Sequence, residues 1–216
     1  VNIGVSNGRK SLNNKLLIAN GSRLFSTATV QVGLNNNDNK HSDSSGNLVE
    51  ITGGKLGPSV WDLGAKDLYI GSVNGWNSAS KNNKFVLLPG SVVKNVGDIK
   101  IGNNEGDFKN NALVLAGGMI RAKNLWVKEL NCIDVRLSDS GISPILIENN
   151  VTFDFDTYVF PQASPAAKPG RYPLLGWKGK ATNLDKLKLA KTVDKNIWKL
   201  EVIADKNQIF LNYKTK

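Results

Sequence analysis

Asn110-Asn111-Ala112-Leu113-Val114-Leu115-Ala116-Gly117-Gly118 decides the fold. It is a polar turn, a short apolar run and a second turn. The same grammar occurs three times earlier, around Leu16-Leu17-Ile18, Leu48-Val49-Glu50-Ile51 and Phe85-Val86-Leu87-Leu88. Asn14 to Gly21, Asn47 to Gly54, Asn83 to Gly90 and Asn111 to Gly118 are each seven residues. Asn tolerates the left-handed backbone region and Gly populates it freely, so both mark turns.

A second landmark precedes each run. Val1-Asn2-Ile3-Gly4, Val30-Gln31-Val32-Gly33, Leu68-Tyr69-Ile70-Gly71 and Ile99-Lys100-Ile101-Gly102 all read apolar, any, apolar, Gly. Such alternation predicts a strand with one face buried. The closing glycines are 29, 38 and 31 residues apart. Leu125-Trp126-Val127-Lys128 is a fifth copy with Lys in place of Gly. The third segments of the repeats are Arg23-Leu24-Phe25, Lys55-Leu56, Val92-Val93-Lys94 and Met119-Ile120-Arg121-Ala122.

Repeats of this length, built only from short strands, predict an all-β solenoid: a single-stranded parallel β-helix whose coils bury their apolar faces by stacking. Asn at equivalent turns suits a side-chain amide ladder. Insertions fall outside the fixed piece, in polar loops near residues 5–12, 34–45, 72–81 and 103–109. From residue 141 the grammar changes. Phe160-Pro161 to Pro169-Gly170 reads as an irregular boundary. Ile197–Ile203 and Gln208–Tyr213 read as a hairpin. The expected organisation is a solenoid of four to five coils over 1–140, then the last coil and a Lys-rich β cap over 141–216.

Composition narrows the function. The net charge is +10, and residues 168–216 carry eleven Lys and Arg171 against four acids. Lys outnumbers Arg, which argues against bidentate reading of bases, and the chain lacks the interleaved basic and aromatic pattern of a single-strand groove. Nucleic acid is therefore not an expected partner. The Lys surplus is either a solvated face or a site for an anionic glycan. One Cys and one His, Cys132 and His41, exclude a disulfide framework and a Cys/His metal centre. No run of eighteen apolar residues spans a membrane. No phosphate-cradling loop calls for a cofactor, since Ala116-Gly117-Gly118-Met119 lacks the Lys-Ser/Thr of one. Val1 already begins a repeat strand, so the chain is expected to be cut from a longer one.

The recurrent pattern, best kept over Ile99–Val127, resembles the repeats of bacterial autotransporter-type β-helix proteins. The tail, Gly170-Arg171-Tyr172-Pro173-Leu174-Leu175 with Trp198-Lys199-Leu200 and Ile209-Phe210-Leu211-Asn212-Tyr213, resembles the segment that closes such regions. The resemblance implies a right-handed parallel β-helix, secreted or on a cell surface, and carries no catalytic residues.

Two readings of function remain open. The first is a non-enzymatic adhesin, passenger segment or spacer with weak glycan affinity. Glycans are gripped by aromatic platforms flanked by polar groups. Trp76 in a projecting loop, Trp61 in a five-residue insertion and Trp177 beside Lys178 are the candidates. The second is a carbohydrate-active enzyme whose site is assembled from several coils. A glycosidase needs two carboxylates flanking one bond. Asp154 and Asp156, two apart on an expected strand Val151–Asp156 with Phe155 inward, are the best pair, although a solvent-facing strand explains them equally. Glu105 and Asp107 are a loop pair that could ligate a cation.

Overall fold

The computed structural model describes residues 1–36, 42–73, 78–103, 107–128 and 130–215. They form a parallel β-solenoid of about six turns, with no α-helix among the described residues. The first coil holds β1 (Asn2–Ser6), β2 (Lys15–Ile18) and β3 (Arg23–Phe25). The second holds β4 (Val30–Asn35), β5 (Leu48–Ile51) and the start of β6 (Ser59–Val73). β6 turns a corner into the third coil, with β7 (Ala79–Lys81), β8 (Lys84–Leu87) and the start of β9 (Ser91–Asn103). β9 likewise opens the fourth coil, with β10 (Asp107–Lys109), β11 (Ala112–Leu115) and the start of β12 (Met119–Val127). The fifth adds β13 (Cys132–Leu137) and β14 (Ile145–Ile147). The sixth is β15 (Val151–Phe153), β16 (Thr157–Ala163) and β17 (Gly170–Trp177). β18 (Ala181–Thr182) and β19 (Leu187–Leu189) begin a seventh, and the hairpin of β20 (Trp198–Ile203) and β21 (Gln208–Tyr213) closes the end.

Three faces result. The first stacks β1, β4 and the second halves of β6, β9 and β12, then β15 and β18. The second is the seven-stranded sheet of β2, β5, β8, β11, β13, β16 and β19. The third stacks β3, the first halves of β6, β9 and β12, then β14 and β17, where β21 pairs antiparallel and ends the stack. Alternate residues point inward from each face. Ile99, Ile101, Leu113, Leu115 and Val93 are all fully buried in one continuous core. Each such side chain contributes about 1.5–3 kcal/mol by leaving water.

The two sequence landmarks prove to be halves of one device. Asn14, Asn47, Asn83, Asn111 and Asn131 stack as an amide ladder. The Nδ2 of each donates to the Oδ1 of the next, at 2.8, 2.9, 2.9 and 3.0 Å. The backbone N–H of each donates to the same oxygen, at 3.0, 2.9, 3.0 and 3.1 Å. Gly4, Gly33 and Gly71 on the first-face strands make room for the Asn of the next coil. A Cβ at Gly4, Gly33 or Gly71 would lie 2.2 Å from the amide of Asn47, Asn83 or Asn111. Ser three residues before the ladder helps hold it: Ser80 Oγ accepts from Asn83 Nδ2 at 3.0 Å and donates to the Gly33 carbonyl at 2.6 Å.

Several expectations need correction. The third segment of the second repeat is not Lys55-Leu56. Those residues lie in a tight turn closed by Gly54 and Gly57, with Leu56 79% exposed, and Val60-Trp61-Asp62 takes the strand position. The loops between the first and second faces do not simply project. They contribute a short parallel column through Lys10, Asp43, β7 and β10. Phe160-Pro161 is not a boundary, because β16 runs through it. β19 pairs with β16 only as far as Val159, so at Pro161 the outer side has no partner strand and the missing N–H is tolerated. The expected hairpin is present, with Trp198 and Tyr213 rings 4.6 Å apart and Arg171 held by Glu201 at 2.9 and 3.1 Å. No helix among the described residues is long and apolar enough to cross a membrane.

Two stability predictions follow from the ladder. Asn83→Ala removes the acceptor for two donors of the buried Asn47. A loss of about 3 kcal/mol is expected, a fall in Tm of roughly 6–12 °C for a chain of this size by calorimetry. Conversely, the residue before each ladder Asn has positive φ: Asn13, Gly46, Asn82, Asn110 and Leu130. Leu130, at φ 59°, is the one that pays a steric cost there. Leu130→Asn should raise Tm by about 2–4 °C, corresponding to about 1 kcal/mol.

Candidate binding groove on the second face

The outward residues of the second face run in columns set by register. One column is Leu48, Lys84, Ala112, Cys132, Tyr158 and Lys188; its neighbour is Glu50, Val86, Val114, Asp134 and Phe160. The stretch that decides the fold also shapes this surface. β11 is apolar on both sides, and its outward side chains, Ala112 and Val114, are small. With Val86 and Cys132 they form a buried apolar cluster of their own, outside the main core. Val86, Ala112 and Val114 are covered by their neighbours, and Cys132 is the member of the cluster that lines a hollow on this face.

Two hollows lie on this face, and β16 contributes side chains to both. The first, about 360 Å³, is lined by Lys84, Cys132, Asp134, Arg136, Phe160 and Gln162, with Asn82 and Asn110 at its edge. The second, about 460 Å³, lies against the cap and is lined by Tyr158, Lys188, Lys191, Lys195, Trp198 and Lys199. Phe160 and Tyr158 separate them as an edge-to-face pair with centroids 6.4 Å apart.

Charge is unevenly committed. Lys84 pairs with Asp134 at 3.4 Å, and Lys188 with Asp156 at 2.6 Å. The Lys188 hydrogen bond, aided by nearby Lys186 and Lys191, holds the Asp156 carboxyl below the usual range. Arg136 is exposed, in register with Gln162, and no hydrogen bond or ion pair ties it down among the described residues. The same holds for Lys191, Lys195 and Lys199. Both hollows therefore present unpaired positive charge beside an aromatic ring.

The first face also carries aromatics, Tyr69 and Trp126, but there the acids are occupied. Tyr69, Lys100, Trp126 and Thr152 are in register. Lys100 Nζ lies 3.4 Å from Tyr69 Oη, 3.6 Å from Asp98 and 3.9 Å from Asp67. Trp126 Nε1 donates to Asp154 at 2.7 Å. The Asp67 and Asp98 oxygens also accept from the Asp98 N–H and Asn124 Nδ2.

The residues singled out in the sequence scatter. Trp61 is fully buried, its Nε1 donating to Ser26 Oγ at 2.8 Å and its ring stacked on Phe85 at 5.9 Å. It points inward because the true third strand passes through it, so it offers no platform to a glycan. Trp177 is also buried, inward on β17. Trp76, His41 and Glu105 lie outside the described residues. Asp154 and Asp156 do not share a strand face. β15 ends at Phe153, and Phe155 takes φ 55° with its side chain 64% exposed rather than inward. The turn sends Asp154 to Trp126 on the first face and Asp156 to Lys188 on the second. Among the described residues no cluster of three or more metal-ligating side chains occurs. Sequence reasoning missed Tyr158, Phe160, Arg136 and Lys84. The alternation of Cys132-Ile133-Asp134-Val135-Arg136 was the usable signal for one wall; the prolines hid the other.

Neither a protein-family profile, a curated protein nor a solved structure matches this chain.

Cys132 sits at the floor of the first hollow, yet burial, with Asp134 adding to it, pushes its thiol far above the ordinary range. A thiolate is the reactive form. Native protein at pH 8 should therefore leave a disulfide reagent such as DTNB almost unreacted, with one thiol released on unfolding in guanidinium. Fast labelling of the native chain would contradict this geometry.

Proposed function

We propose that this chain is a non-enzymatic β-solenoid segment, presented outside the cell or on its surface, that acts as an adhesin, passenger or spacer and binds glycan along its second face. The observation that carries the reading is the groove around Phe160: an aromatic ring at a wall, Cys132 at the floor, and amide and charged side chains converging on it. Sugars are gripped in this way, with the ring under their C–H face and polar groups on their hydroxyls. The likeness of the coil grammar to autotransporter-type passengers supports the extracellular setting.

Binding is favoured over hydrolysis by the state of the carboxylates. A glycosidase acid needs a raised pKa, so that it holds a proton at working pH. Asp156 is shifted the other way, and Asp134 is engaged by Lys84.

The test is a glycan array, neutral and acidic sugars together, probed with the wild type and with Phe160→Ala. Retention of one glycan class, weakened roughly tenfold or more by the substitution as for a central aromatic anchor, is the expected result. Binding indifferent to Phe160→Ala would remove the groove from the reading. Release of oligosaccharides from a polysaccharide panel would replace it with the enzyme.

A further inference from the structure

We infer that the ligand of the second-face groove is an acidic polysaccharide of the uronate type, lying along the solenoid axis across both hollows. This rests on the glycan-binding reading and specifies its chemistry.

Three features converge on it. The first is charge and its form. Hollow one sets Lys84 and Arg136 against Asp134; hollow two sets Lys188, Lys191, Lys195 and Lys199 against Asp156. The surplus is positive in both, and Arg136 is free to take a carboxylate through its planar fork. The existing ion pairs do not oppose this. Lys84–Asp134 is partly exposed, and such pairs contribute little to stability.

The second feature is length. The basic groups stand on coils three, five and seven, from Lys84 through Arg136 to Lys188. Strands stack about 4.8 Å apart, so this span is about 19 Å. A single sugar cannot reach both hollows. An extended chain of pyranose rings, each advancing by a length close to one coil step, can place carboxylates in both and a ring on Phe160 and Tyr158 between them.

The third feature is what else lines hollow one. The Asp134 carboxylate and the amides of Gln162, Asn82 and Asn110 demand hydrogen-bond donors from the ligand as well as acceptors. A sugar with one carboxylate and several hydroxyls per ring supplies both. A linear polyphosphate supplies acceptors only and meets Asp134 as a like charge. The two aromatics meet edge to face, so they form one short platform and not the series of stacking rings that a single-stranded nucleic acid uses.

The experiment is calorimetric titration of the chain at about 0.1 M salt, where charges further apart than about 10 Å are screened. The probes are hexasaccharides of galacturonate, mannuronate and guluronate, their carboxyl-reduced counterparts, the free uronic acids, and a linear polyphosphate of matched charge. At least one hexauronate should bind about tenfold or more tighter than its reduced form, its monosaccharide and the polyphosphate. Arg136→Gln and the double substitution Lys195→Gln/Lys199→Gln should each weaken it severalfold, on a surface where neither change disturbs the core. Equal binding of the reduced hexasaccharide would overturn the acidic class and leave the glycan reading standing. Equal binding of polyphosphate would mark the surface as a general polyanion patch and overturn the inference. Uronate binding untouched by both variants would move the site elsewhere and overturn it too. Binding of no sugar at all would remove the inference and the glycan reading together.

Discussion

The interaction on which the rest of the solenoid depends is the shared hydrogen bond at each ladder oxygen. Every Oδ1 from Asn47 to Asn131 accepts two N–H groups of the preceding Asn, one from the side chain and one from the backbone. The first pins coil to coil. The second satisfies a backbone donor at a turn, where no strand ladder can reach it, and a buried unsatisfied donor costs about 1–3 kcal/mol. Because both bonds land on one atom, register cannot slip by a residue without breaking both. The apolar runs that follow are thereby held in phase, and an inward residue on one coil stays inward on the next.

The ladder also explains where the repeat stops. Ladder position six is Thr157, whose buried hydroxyl has no hydrogen-bond partner among the described residues, and the preceding coil carries Lys128 where the others carry Gly. The two departures belong together: a glycine is needed only where an amide must fit against it, and from this coil on there is none. Beyond it the second-face strands continue parallel to β19, while on the third face β21 pairs antiparallel with β17 and β20 pairs antiparallel with β21 to form the edge. Tyr158 and Phe160 stand on the first second-face strand beyond the ladder. Freed from matching the earlier coils, that strand carries large outward rings where β11 carries Ala112 and Val114.

This bears on what the sequence could and could not convey. The solenoid was legible because its determinants are local and repeated: Gly at positive φ, Asn at the turn, and seven residues between Asn and Gly. The link between Gly4 and Asn47 was not, since it joins different coils and each residue has a sufficient local explanation as a turn former. The site was less legible. Trp61 reads as loop because Lys55-Leu56 imitates a strand slot, and only the pairing of Val60 with Val92 shows which segment wins. The strand expected at Val151–Asp156 has perfect alternation, but Phe155 breaks it with a left-handed backbone that no periodicity reveals. Tyr158 and Phe160 were hidden by Pro161, which signals an ending in a central strand and is harmless where one side lacks a partner.

A solenoid separates the two tasks of its residues more cleanly than most folds. Inward positions and the ladder determine stability, while outward positions are free to vary as long as they stay soluble. The groove arises from that freedom. Its hollows lie beside Phe160, Tyr158 and Lys84, long side chains that stand on one regular sheet. Shape at such a site needs no special loop, and the register that the ladder enforces fixes the rings and cations relative to one another before any ligand arrives. Little ordering entropy is then left to be lost by the backbone on binding, which favours recognition of an extended, repetitive ligand by an extended, repetitive surface.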